Sequence, residues 1–135
     1  NMIYIIVATH GSLGTSLVET ARTVLGESTM LTALGLTTEG SFAEFEKDLI
    51  KAVQNHRSKG RVLILTDMFG GTPSRMGMTH HETGQVEVIT GVSLPMLIKA
   101  LQLTDSDDEL ITIAQKVRNA GERGISVASE ILGEV

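Results

Sequence analysis

Met2-Ile-Tyr-Ile-Ile-Val-Ala8 is a near-continuous apolar run, rich in β-branched residues, that leads straight into Thr9-His10-Gly11-Ser12. A run of this kind, without polar alternation, reads as a strand covered on both faces, as in a parallel sheet. Arg61-Val-Leu-Ile-Leu-Thr-Asp67 repeats the pattern, and Gln85-Val-Glu-Val-Ile-Thr-Gly91 gives a third strand. Met30-Leu-Thr-Ala-Leu-Gly-Leu36 is a fourth, weakened by Gly35. Helical spacing fills the intervals. Leu13, Leu17, Ala21 and Val24 share one face of a helix that stops before Gly26. Ser41-Phe-Ala-Glu44 has the spacing of a capping box and opens a helix with Phe42, Phe45, Leu49 and Val53 inside, ending near Gly60. Thr72-Pro73 reads as an N-cap followed by proline at the first helical position. Pro95 starts a helix through Leu103, and the acidic stretch Ser106 to Glu109 opens the next. Between Gly124 and Leu132, the residues Ile125, Val127, Ile131 and Leu132 fit a short last strand as well as a helix end. Strand and helix alternate, so the expected fold is α/β with a mainly parallel sheet. With no repeat, low-complexity tract or linker, residues 1–135 are expected to form one domain.

Composition narrows the function. The 135 residues are 41% hydrophobic and 20% charged, the balance of a globular chain, and carry a formal net charge of -5. That sign, with three Phe and one Tyr, argues against a nucleic-acid binder, which needs a basic face or stacking platforms. The absence of cysteine excludes thiol chemistry and cysteine-ligated zinc. No apolar run approaches the roughly 18 residues of a membrane span. The apolar start lacks the basic flank of a secretory signal, so a soluble cytoplasmic protein is expected.

Ligands of open α/β sheets gather at the carboxyl ends of the strands, where strand order reverses. The first strand delivers Thr9-His10-Gly11-Ser12 there, and the Arg61 strand delivers Thr66-Asp67-Met68-Phe69-Gly70-Gly71-Thr72-Pro73. If the two strands are neighbours, His10 and Asp67 come within reach. A carboxylate that takes the proton of one imidazole nitrogen fixes the tautomer and frees the other nitrogen as nucleophile or base. The same residues also suit a loop histidine beside a strand-end cap. Gly70-Gly71-Thr72-Pro73 allows a tight turn with amides directed at a ligand, and the Thr72 hydroxyl can cap a helix or donate to an oxyanion. Such a nest suits a phosphoryl group. It is also simply a good strand-to-helix turn.

Other candidates carry less. His80-His81-Glu82 lacks the His-Glu-x-x-His spacing of a zinc hydrolase, and His56 beside Arg57 and Lys59 reads as a dipole partner at a helix end. Met68, Met76, Met78 and Met96 read as core or interface filler. There is no Gly-x-Ser-x-Gly elbow, no Gly-x-Gly-x-x-Gly and no Walker lysine loop.

Three motifs stand in order: Ile5-Ile-Val-Ala-Thr-His10-Gly11, Leu65-Thr-Asp67-Met-Phe-Gly70-Gly71-Thr72-Pro73, and Thr90-Gly91-Val92-Ser-Leu94-Pro95-Met96-Leu97. Together they resemble the enzyme IIA domain of the mannose family of the bacterial sugar phosphotransferase system, over essentially the whole chain. The resemblance implies a four-stranded parallel sheet with helices on both faces and a carboxyl-terminal strand exchanged in a homodimer, which would account for Gly124–Leu132. It implies that His10 takes a phosphoryl group from the histidine-containing phosphocarrier protein and passes it to a IIB domain, which phosphorylates a sugar during uptake through membrane subunits. Asp67 would orient the ring through Nδ1, leaving Nε2 to carry the group, while Gly11, Gly70, Gly71 and Thr72 would hold the phosphate. No metal and no cofactor enter this scheme.

The chain departs from the family's pattern at Ser74-Arg75, where Phe-Asn is common, at Ser93, where Asn is common, and at Gly14, where Ala is common. Arg75 at the rim can bind phosphate, fit a particular IIB partner or face solvent. Two other functions use the same residues: a phosphorylatable regulatory module, and a non-catalytic domain that binds a phosphorylated metabolite.

Overall fold

All six residues from Arg61 to Thr66 are buried, the outcome expected of a strand with no polar alternation. The computed structural model describes residues 2–134. Its strands are β1 (Ile3–His10), β2 (Leu31–Leu36), β3 (Arg61–Thr66) and β4 (Val86–Ile89). They form one sheet in the order β2-β1-β3-β4, with every neighbouring pair parallel. The helices are α1 (Leu13–Leu25), α2 (Phe42–Arg57), α3 (Thr72–Met78), α4 (Leu94–Gln102), α5 (Leu110–Arg123) and the short α6 (Ala128–Ile131).

Strand pleating divides the core in two. Ile3, Ile5, Val7, Leu63 and Leu65 face α1, α4 and α5, meeting Val18, Ala21, Leu97, Ile113 and Val117. Ile6, Ala8, Val62 and Ile64 face the other way, onto Phe45, Leu49 and Val53 of α2, with Met76 of α3 at the margin. Each fully buried Leu or Ile contributes about 1.5–3 kcal/mol relative to an exposed one. Helices therefore cover both faces, and the four-stranded α/β architecture is as expected.

The local details correct several sequence readings. The buried face of α1 runs through Gly14, Val18 and Ala21, whereas Leu13 and Val24 are exposed. On α2, Ser41 accepts the Glu44 amide at 3.0 Å as its cap. Phe45, Leu49 and Val53 are buried, but Phe42 is 60% exposed, because the first turn of α2 stands at the rim of the sheet. Gly35 does not break β2. It is needed there because a Cβ would run into the Gly11 carbonyl oxygen, and Gly11 itself donates to Leu36 at 2.7 Å. β1 extends two residues past Ala8, so His10 is the last residue of the strand and pairs in register with Leu36.

The strand implied for Gly124–Leu132 is not formed. The segment closes local bonds instead, such as Ile131 N–H to Val127 O at 3.2 Å and Leu132 N–H to Ala128 O at 2.9 Å. A strand with no neighbour leaves its backbone groups unpaired, and a helical turn pairs them within the segment. Ile125, Val127, Ile131 and Leu132 are all exposed.

Candidate functional site

Because β2 lies on one side of β1 and β3 on the other, the chain reverses its direction of travel across the sheet at the β1–β3 seam. Ligands of such sheets bind at this reversal. Ala8 of β1 pairs with Thr66 of β3, so His10 and Asp67 leave the sheet side by side. Asp67 Oδ2 accepts the His10 backbone amide at 3.0 Å and meets His10 Nδ1 at 2.7 Å. Its other oxygen accepts the Met68 amide at 3.1 Å. The carboxylate is thus fixed at both oxygens, and it fixes the ring. Burial pushes the Asp67 carboxyl up, but the two hydrogen bonds from His10 and the attraction of its ring outweigh that effect and hold it below the ordinary value. An ionised carboxylate at Nδ1 selects the tautomer that carries its proton on Nδ1, with the lone pair on Nε2. The His10 side chain is 46% exposed and that of Asp67 only 12%, the arrangement expected of a reactive ring with a shielded orienting group.

The loop from Asp67 to Thr72 wraps against this ring. Gly71 lies so close that a Cβ there would be 2.7 Å from His10 Cε1 and 3.4 Å from Nε2. Gly11 and Gly70 both adopt positive φ, +55° and +86°, and shape the two turns that flank the imidazole. Thr72 and Gly11 line, with His10, Leu36 and Phe42, a cleft of about 530 Å³. All six sequence-derived site residues therefore come together at one end of the sheet. A somewhat larger cleft of about 610 Å³, lined by Arg61, His81, Glu87 and Asp108 among others, opens by the start of β3, away from the seam's carboxyl end, and contains none of them.

The role of Thr72 differs from the expected helix cap. Gly71 occupies the cap position of α3, Thr72 is the first helical residue, and no side chain caps the helix. Instead the Thr72 hydroxyl oxygen accepts from Arg75 Nη2 at 3.2 Å, while Arg75 Nη1 donates to Gly70 O at 3.0 Å.

Ser74 is the residue that the sequence did not reveal. It is 1% exposed, its hydroxyl meets the buried Thr66 hydroxyl at 2.6 Å, and it also donates to Met68 O. It ties the backbone of the loop after Asp67 to the end of β3. Its only sequence signal is a small polar residue in place of a common Phe. On β1, the buried Thr9 hydroxyl does similar work, accepting the Gly14 amide at 2.8 Å and donating to His10 O at 3.0 Å.

The remaining histidines lie elsewhere. His81 faces Glu87 at 3.5 Å, and Arg57 donates to Glu82 through Nε and Nη2. Among the described residues no group of three or more His, Asp or Glu could hold a metal ion. His56 is buried, stacks on Tyr4 at 4.9 Å between ring centres, and meets the Thr32 hydroxyl at 3.2 Å.

Against known proteins, residues 4–117 match the family model described as the PTS system fructose IIA component, where PTS is the phosphotransferase system. The chain belongs to this family. A mannose-specific EIIAB component of Escherichia coli K12 is 33% identical over 132 residues, covering 91% of this chain and 39% of the relative. The chain thus spans about two fifths of the length of that relative. A fructose-specific EIIA component of Bacillus subtilis 168 is 26% identical over 135 residues, covering 99% of this chain and 92% of the relative. A crystal structure of a PTS IIA protein associated with the fucose utilization operon of Streptococcus pneumoniae superposes with a TM-score of 0.84 at 26% identity, over 97% of this chain and 96% of that one. Its four-stranded α/β fold matches that of this solved PTS IIA protein.

Proposed function

We propose that His10 is a phosphoryl carrier, charged by a histidine-containing phosphocarrier protein and discharged to a IIB domain for sugar uptake and phosphorylation. The observation that carries this reading is the half-exposed imidazole lining the cleft, whose Nδ1 is engaged by Asp67 at 2.7 Å while its Nε2 has no hydrogen-bond partner among the described residues. In the charging step the Nε2 lone pair forms a bond to phosphorus as the donor's P–N bond breaks, and the donor imidazole keeps that electron pair. Asp67 stabilises the positive charge that develops on the His10 ring. Since donor and acceptor are both imidazoles, transfer is near balance and reversible, and the protein contributes alignment and charge stabilisation. Gly11, Gly70, Gly71 and Thr72 are the groups proposed to hold the phosphoryl oxygens.

The surroundings favour a macromolecular partner. Leu13, Phe42, Met68 and Phe69 are all exposed on segments that border the carboxyl end of the seam. An apolar collar around a reactive ring is what protein docking needs. A cytoplasmic location and a homodimer belong to the same proposal. Exposed Ile125, Val127, Ile131 and Leu132 support the dimer, and a particle of monomer mass throughout the micromolar range in sedimentation would remove it.

The test is intact mass after incubation with phosphoenolpyruvate, enzyme I and the phosphocarrier protein. The expected result is one acid-labile phosphoryl group, absent in His10→Ala, which keeps the fold. A folded wild-type chain that gains no mass with competent carriers would sink the proposal and favour non-covalent binding of a phosphorylated metabolite in the same cleft.

A further inference from the structure

We propose that Arg75 is a positioning residue that prepares the Thr72 hydroxyl to donate to the phosphoryl group, an inference that rests on the His10 reading above. The guanidinium spans the phosphate loop, with Nη1 on Gly70 O at 3.0 Å and Nη2 on Thr72 Oγ1 at 3.2 Å. Gly71, between those two anchors, is the residue packed against His10 Cε1 and Nε2. One side chain therefore braces both ends of the turn that meets the ring.

The hydrogen-bond directions matter more than the brace. Arginine is donor-only, so Thr72 Oγ1 acts as acceptor toward it. Among the described residues, the Thr72 hydroxyl donates to none, and its own hydrogen stays available. Thr72 shares the cleft with His10, and the acceptor that arrives there in the transfer is a phosphoryl oxygen. A guanidinium on the oxygen strengthens that donation, since a hydrogen bond received polarises the one given. It also brings a positive charge close to a dianionic group on a chain of net charge -5. Asparagine, common at this position in the family, has no such fork and no charge. This domain should accordingly hold the phosphoryl group through Thr72 more strongly than relatives with Asn there.

The experiment is a double-mutant cycle on Arg75 and Thr72, read by the rate of phosphoryl acceptance, the hydrolysis rate of the phosphorylated protein and its phosphorus NMR shift. Arg75→Gln should slow acceptance about five- to tenfold and shift the phosphorus resonance. Arg75→Lys, which keeps the charge but engages one anchor at a time, should recover part of the rate. In a Thr72→Ala background, Arg75→Gln should add less than about a twofold loss. Circular dichroism checks the fold of each variant, and Arg75→Lys serves the cycle if Arg75→Gln is poorly folded. A wild type that gains no phosphoryl group overturns the His10 reading and this one with it. A labelled wild type with Arg75→Gln equal to it overturns this inference alone. So does an Arg75→Gln loss of full size in the Thr72→Ala background, which would show that Arg75 acts without Thr72.

Discussion

Replacing Gly71 by alanine tests how far this site depends on the placement of one ring. Gly71 has φ −77° and ψ 164°, ordinary extended geometry that alanine adopts without strain. The added methyl instead meets the ring: 2.7 Å from His10 Cε1, 3.4 Å from Nε2 and 3.3 Å from Met68 Cγ. Carbon contacts are comfortable at about 3.5–4.0 Å, so the imidazole must retreat by about 1 Å. That retreat carries Nδ1 away from Asp67, stretching the 2.7 Å contact beyond hydrogen-bond range. A hydrogen bond to a charged group is worth about 1.5–3 kcal/mol, and each 1.4 kcal/mol is about tenfold in rate. Phosphoryl acceptance should therefore fall about 10- to 100-fold, with the methyl beside Nε2 adding to the loss. Folding should be weakened by about 0.5–2.5 kcal/mol, since the lost bond is offset only in part by the roughly 0.4–1 kcal/mol that Gly→Ala contributes through the unfolded chain. Time-resolved intact mass reads the first effect and thermal unfolding the second. A Gly71→Ala protein that is charged at the wild-type rate would show that the ring tolerates displacement from Asp67, and the orienting role of that contact would have to be abandoned.

Two further outcomes follow from the same geometry. Asp67→Asn keeps the size of the side chain but removes its charge, and should slow acceptance about tenfold or more while leaving the melting temperature within a few degrees, because the amide oxygen still accepts one of the two backbone amides that Asp67 holds; equal rates would make Asp67 a purely structural strand-end group. His56 titrates below its ordinary 6.5, chiefly because burial disfavours the charged ring and secondly because Lys59 repels it. The unfolded chain then binds this proton before the folded one does, so stability is full above about pH 6.5 and declines as pH falls toward the lowered value. His80 is lowered by burial too and adds in the same direction. Urea unfolding between pH 7.5 and 5 should show this slope, flattened in His56→Gln; an unaltered slope in that variant would assign the effect to other groups.

The sheet was readable because its central strands are covered on both sides. Residues Ile3 to Ala8 and Val62 to Leu65 announce themselves as near-continuous apolar runs, and their short connections set the alternation with helices. The His10–Asp67 pair was readable for the same reason: residues that leave neighbouring parallel strands must emerge together. What escaped depends on contacts that no local pattern encodes. Gly35 looks like a strand breaker until the Gly11 carbonyl is seen to pass over it. Phe42 has the spacing of a core residue, but one turn too early to reach the sheet. Thr72 resembles a helix cap because Thr-Pro often is one, yet its hydroxyl is taken by Arg75, three residues on. Ser74 is invisible because its partners, Thr66 and Met68 O, meet it only after the loop has closed.

These particulars give the site a common logic: among the described residues His10 Nε2, the proposed carrier atom, has no hydrogen-bond partner while the groups around it are held. The His10 amide, its Nδ1 and its carbonyl are all engaged, by Asp67 and by Thr9. The facing loop is pinned at Met68 by Ser74, at Gly70 and Thr72 by Arg75, and its middle residue lacks a side chain so that the ring can lie against it. A phosphoryl group passed between two imidazoles gains little from chemistry at either end, so the rate depends on how little must move when the partner arrives. A rigid frame on strand ends provides that, whereas an adaptable collar of exposed Leu13, Phe42, Met68 and Phe69 would suit the proposed docking of two different partners over one ring in turn.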